Sequence, residues 1–171
     1  MTAPMAPTPA TENAMNAEFI QQYAHTWRVF ERLVNGFDDE AWLRTGRKAT
    51  IPVRLAFHIL KATRYYTEDT TTVSFASGKS FEINCETAGE EELPSRADIV
   101  ACIRELREKT ACWLAGIDLA AKNEAFGWAG ETKLGVALFL LRHNLFHIGE
   151  LSSLLNESRH GDVEDHYVKA L

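Results

Sequence analysis

The stretch KLGVALFLLRHNLFHIGELSSLLN, residues 133–156, decides the fold. Its apolar residues recur at the period of an amphipathic helix running from about Thr132 to Asn156. At about 100° per residue, Val136, Leu140, His143, His147, Leu151 and Leu154 form one stripe. Leu134, Leu138, Leu141, Leu145, Ile148 and Leu155 form a second, roughly opposite. A helix at the rim of a bundle needs one apolar stripe, so a second implies a central position or a subunit contact. Four helices offer few central positions, and the expectation is a homodimer made through this helix.

Three earlier segments carry the same period. The first, Asn16 to Asn35, places Phe19, Tyr23, Trp27, Phe30, Leu33 and Val34 on one face. Gly36 stops it, and Asp38-Asp39-Glu40 can start a short turn that buries Trp42. The second begins after Thr50, with Pro52 in the first turn, where its missing N–H costs nothing. Its apolar stripe reads Ile51, Leu55, Ala62 and Tyr65. The third opens with Ser95 as N-cap and Asp98 three residues on, a relative of the capping box. It carries Ile99, Ile103, Leu106, Trp113, Leu114 and Ile117. Gly161 can terminate the region beyond the fourth helix.

Residues 70–94 are polar and β-prone, with Val73-Ser74-Phe75 and Phe81-Glu82-Ile83 flanking Ser77-Gly78-Lys79. A small hairpin or an ordered loop both fit, and a connection of this length is more often functional than decorative. Residues 1–14 hold three of the five prolines and almost no large apolar side chain, which predicts a disordered N-terminal tail. Residues 15–171 then form one domain. The fold class is all-α: an antiparallel four-helix bundle whose second and third helices are joined by a long connection, with room in it for a β-hairpin.

Composition removes several functions. The 171 residues carry 18 Lys plus Arg against 24 Asp plus Glu, a formal charge of −6, which disfavours nucleic-acid binding. No apolar run approaches the roughly 20 residues of a membrane span. Cys85, Cys102 and Cys112 are odd in number and lack a CxxC spacing, so neither a disulfide framework nor a thiolate zinc site is indicated. Reduced, buried thiols in a cytoplasmic protein are expected. There is no Gly-rich phosphate loop, no GxSxG elbow and no nucleophile with a base at recognisable spacing. The only Glu-x-x-His, Glu157 to His160, sits at a fraying helix end and excludes a di-iron carboxylate bundle. Trp27, Trp113 and Trp128 read as core or pocket wall.

The six histidines divide into two groups. His143 and His147, at i and i+4, lie about 40° and one turn apart, so both imidazoles can face one point. His58 lies between Leu55 and Ala62 on its own stripe, where a bundle can bring it opposite the pair. Burying three imidazoles without a shared partner is costly. A shared metal ion answers that cost, and three neutral imidazoles favour Zn, Ni, Fe or Cu over Mg or Ca. Three protein ligands leave a position open, which suits a catalytic site. Glu150, one turn beyond His147, can orient a ligand, act as a base or bind the metal itself. His25, His160 and His166 read as surface residues.

At these residues the sequence resembles the DinB/YfiT-like superfamily. The likeness rests on Ala56-Phe57-His58-Ile59-Leu60 and on Arg142-His143-Asn144-Leu145-Phe146-His147-Ile148-Gly149-Glu150-Leu151, and covers Met15 to Asn156 with helix order included. It implies a four-helix bundle, frequent homodimers and one divalent transition metal, Zn or Ni ahead of Fe, held by His58, His143 and His147. Many members read H-x-x-x-H-R-G-Q, whereas this chain keeps Gly149 between Ile148 and Glu150. Members with assigned activities are thiol-dependent transferases and isomerases. The resemblance therefore implies a metal-dependent enzyme on a small-molecule substrate with a low-molecular-weight thiol, of S-transferase, isomerase or hydrolase type. Glu150 is its expected catalytic side chain. The other reading is a noncatalytic metal- or ligand-binding dimeric module.

Overall fold

The computed structural model describes residues 9–47, 50–69, 75–160 and 165–167, with no side-chain detail for 9–13. Among them lie α1 (Pro9–Gly36), α2 (Asp39–Arg44), α3 (Pro52–Tyr66), α4 (Arg96–Gly116) and α5 (Lys133–Ser158), with 3-10 turns at Glu90–Glu92 and Gly127–Ala129. The described residues hold no strand, only a single bridge between Lys122 and Thr132. The protein is all-α.

Local chemistry sets the helix starts where the sequence places them. Asp38 accepts from the Ala41 backbone N–H at 2.7 Å and starts α2, which buries Trp42 against Phe37 with ring centroids 5.8 Å apart. Pro52 occupies the first turn of α3. Ser95 and Asp98 cap α4 reciprocally: Ser95 Oγ accepts from Asp98 N at 3.1 Å, and Asp98 Oδ2 from Ser95 N at 3.0 Å. α1 begins at Pro9, ahead of the expected Asn16, because proline is tolerated in a first turn and the residues after it permit helix. Residues 9–14 of the expected tail are therefore helical, while 1–8, like Val73, Ser74 and Gly161, lie outside the described residues.

α1 packs on α4 and α5, and α3 packs on α5 and α4. The Asn16 side chain donates to Leu114 O and Ile117 O at one end of α4, while Arg104 pairs with Glu31 toward the other, so α1 and α4 run oppositely. α3 and α5 are also opposed, since Tyr66 meets Phe139 and His58 meets His147. α1 and α5 run the same way: Tyr23 Oη donates to Ala137 O at 2.6 Å, and Gly36 lies against Leu155. It follows that α3 and α4 are parallel. The connection between them is long because it must carry the chain back to the end where α3 began.

Inside, Tyr23, Trp27, Phe30, Leu33 and Val34 of α1 are buried as expected, joined by Ile99, Ile103, Leu106 and Leu114 of α4. Two stripes differ from expectation. On α5, Ile148 and Leu155 share the core with Leu140 and Leu151, whereas Leu138 is exposed. The two expected stripes are one broad face, wide because α5 touches both α1 and α3, so that argument for a homodimer falls away. On α3 Leu55 is buried as expected and Ile51 packs on the core, but the core face is mainly Val53, Ala56, Phe57, Ile59, Leu60 and Thr63, while Ala62 and Tyr65 line a surface cleft.

The 75–94 connection is an ordered loop, pinned at several points. Phe75 and Phe81 pack on Phe57 with centroids 5.3 and 5.1 Å away. Arg54 donates to Cys85 O at 2.6 Å and Ala88 O at 2.8 Å, Lys61 to Ile83 O at 2.7 Å, and Ser77 N to Asp98 Oδ1 at 3.0 Å. Cys85 and Cys102 are buried thiols, but Cys112 is exposed because it falls on the outer face of α4. Trp27 is core and Trp113 packs partly against it, whereas Trp128 stands 62% exposed on the loop before α5. Among the described residues no helix is long and apolar enough to cross a membrane.

Candidate metal centre

α3 and α5 run side by side, and where they meet His58 faces His143 and His147. The three rings offer one ligand atom each within 4.8 Å of one another. Ring centroids are separated by 5.1 Å (His58 to His143), 4.7 Å (His58 to His147) and 4.6 Å (His143 to His147). The i, i+4 spacing supplies the pair from one helix face. His58 meets it because α3 presents the flank beside its core face to α5.

Hydrogen-bond partners favour one tautomer for two of the three rings. Glu150 Oε2 lies 2.7 Å from His147 Nδ1, and a carboxylate oxygen accepts, so in the neutral ring Nδ1 carries the proton and Nε2 the lone pair. His143 is set by a longer chain. Thr63 donates its hydroxyl to Ile59 O at 2.9 Å and accepts from Asn144 Nδ2 at 3.1 Å. That fixes the amide so that Asn144 Oδ1 faces His143 Nδ1 at 3.4 Å, a long contact that still leaves Nε2 turned away. His58 Nε2 then stands 3.1 Å from His143 Nε2.

This arrangement fits a transition metal. Two nitrogen ligands about 2.0–2.1 Å from a tetrahedral zinc stand roughly 3.3 Å apart, close to the observed separation. Two facing lone pairs repel one another unless a cation or a proton lies between them. Burial, with the adjacent His147 and His143 next, pushes His58 down to about 4, and burial also lowers His143. Both rings are therefore neutral at pH 7, the form that ligates metal. The nitrogen donor set, with no carboxylate in it, suits Zn, Ni, Fe or Cu over Mg or Ca.

Glu150 lies against His147 Nδ1 and is not among the converging ligand atoms. Asn144 and Thr63 were missed by sequence reasoning. The available signal was an asparagine inside the apolar run of α5, which is buried at 1% exposure and must spend its amide on something. His160 is exposed as expected. His25 and His166 are buried, contrary to their reading as surface residues. His25 stacks edge-on to Tyr167 at 4.4 Å, and His166 Nε2 lies 3.0 Å from Asn156 Oδ1. Residues 165–167 lie against α1 and α5, Tyr167 on His25 and His166 beside Asn156, a contact that helical periodicity does not encode.

A cleft of about 510 Å³ opens onto His58 and His143, walled by α3 and by Glu82, Asn84 and Cys85 of the long connection. Its size is ordinary for a small-molecule site. A larger hollow of about 610 Å³ lies between Trp42 and Arg96, but no histidine or cysteine lines it. Burial raises the Cys85 thiol, so that side chain stays protonated at neutral pH. No family model matches the chain, and no curated protein or solved structure does either.

Proposed function

We propose that this protein is a DinB-like four-helix bundle in which His58, His143 and His147 hold one divalent transition metal ion, Zn or Ni ahead of Fe, for catalysis on a small molecule. The observation that carries the reading is the convergence of three imidazoles from two helices, two of them with Nδ1 held by Glu150 and Asn144. The opposed α1–α4 and α3–α5 pairs support the bundle. A bound divalent ion supplies Lewis acidity and lowers the pKa of whatever water or thiol it holds. The chain's own residues do the rest. Glu150 keeps the Nδ1 proton on His147, Asn144 does so for His143, and the cleft admits a substrate beside Lys61.

The reaction class proposed is thiol-dependent S-transfer or isomerisation, or hydrolysis, in a cytoplasmic homodimer. A noncatalytic binding module is the second reading, and the open cleft on His58 and His143 favours the enzyme over it. Elemental analysis of the purified protein beside His147→Ala tests the site. One transition-metal ion per chain in the first and a large loss in the second is the expected outcome; equal content in both removes the reading.

A further inference from the structure

α3 turns His58, Lys61, Ala62, Tyr65 and Tyr66 into the cleft, the i, i+3, i+4, i+7 and i+8 positions of one helix face. Tyr65 is the anomaly in that row: a large ring left 57% exposed. Its neighbours are also rings. Tyr66 and Phe126 each lie 5.2 Å from it, Phe126 lies 5.0 Å from Tyr66, and Phe139 lies 4.9 Å from Tyr66. The panel ends on the histidines, with the centroids of Tyr66 and Phe139 at 6.4 and 6.2 Å from that of His143.

The panel is rigidly built. Trp128 Nε1 donates to Tyr66 Oη at 3.1 Å, tying the loop before α5 to the end of α3. That loop reaches α5 only because residue 135 is glycine: a Cβ there would stand 2.6 Å from Ala129 O and 3.0 Å from Gly130 Cα. Phe126 is buried behind the panel, so the face offered to the cleft is Tyr65 with the half-buried Tyr66, and an aromatic ring held in place yet exposed suits another flat, apolar group.

Charge gives the second half of the recognition. Three neutral imidazoles leave a divalent ion's charge uncompensated by its ligands; of the carboxylates whose charge reaches His58, Glu86 and Glu150, the second is spent on His147. Lys61 adds another cation to the cleft; its ammonium has three N–H donors, of which Ile83 O takes one at 2.7 Å. Glu82, on the opposite rim, points toward Arg64 at 4.0 Å. Resting on the metal reading for part of its charge, we infer that the cleft takes a small planar aromatic anion, its ring against Tyr65 and Tyr66 and its charged head toward Lys61 and the three histidines.

Equilibrium dialysis tests this with 2-naphthoate, against acetate (no ring) and naphthalene-2-methanol (no charge), on the full chain with and without zinc. With zinc bound, 2-naphthoate is expected to bind at least about tenfold tighter than either. Tyr65→Ala and Tyr65→Leu each weaken it about three- to tenfold, and Lys61→Gln about tenfold, with zinc content unchanged in all three. Naphthoate binding no tighter than acetate to a chain that holds zinc overturns the inference and leaves the metal reading standing. A chain that binds no zinc fails the metal reading; the inference then survives only if the zinc-free protein binds naphthoate and both Tyr65 and Lys61 variants weaken it. Binding indifferent to these variants overturns it. So does a dimer of this chain that excludes naphthoate and dissociates in Trp128→Ser.

Discussion

Replacing Glu150 with alanine should weaken zinc binding without unfolding the protein. Its carboxylate is 38% exposed and its partner is His147, at 2.7 Å, so the helix loses no packing when it goes. What goes is the group that holds the Nδ1 proton and aims Nε2 at the other two rings. Partners of this kind are worth about ten- to a hundredfold in metal affinity, or roughly 1.4 to 2.7 kcal/mol. Glu150→Gln keeps an oxygen acceptor and loses only charge, so its loss should stay within about tenfold. Zinc titration of metal-free protein against a competing chelator reads both affinities. Thermal unfolding gives an independent check. At free zinc near a thousand times the wild-type Kd, binding stabilises the wild type by about 4.1 kcal/mol, and a thirtyfold weaker variant by about 2 kcal/mol. An alanine variant that binds within twofold of wild type refutes the role given to Glu150.

Acid should destabilise the metal-free protein before its carboxylates titrate. His58 lies at about 4 in the folded chain against an ordinary 6.5, so between those values the unfolded state takes up the proton that the folded state refuses. Stability therefore falls as pH drops from 6.5 toward 4; the urea midpoint should be lower at pH 5 than at pH 7.5, with a smaller difference in His58→Gln. Gly135→Ala should cost about 1 to 3 kcal/mol, since its Cβ meets backbone rather than a flexible side chain. Urea unfolding measures that cost, and a shift in Trp128 fluorescence should accompany it as the loop moves off Tyr66.

The four long helices and the His143–His147 pair were legible because both depend on local spacing, whereas His58, 85 residues from His143, joins them only through the packing of α3 on α5. Pro52, the Ser95–Asp98 cap and the His143–His147 pair each act within one turn, where sequence separation equals spatial proximity. The errors arose where distant chain segments decide. The stripe Ile51, Leu55, Ala62 and Tyr65 looked like core, and its first two residues are, yet Ala62 and Tyr65 line the cleft because α3 turns another flank to the interior there. His25 and His166 looked exposed until residues 165–167 came to lie against α1 and α5. The mixed helix directions also follow from the long connection, whose path no periodicity records. Thr63 and Asn144 sit 81 residues apart in the chain, and only the fold makes them a single hydrogen-bonded relay to His143.

The most direct measurement is X-ray absorption at the zinc edge of the loaded protein. Three imidazole nitrogens at about 2.0–2.1 Å, reduced to two in His58→Ala, is the expected shell. A shell of oxygens or sulfur, or one unchanged by that substitution, would contradict a single ion held between α3 and α5.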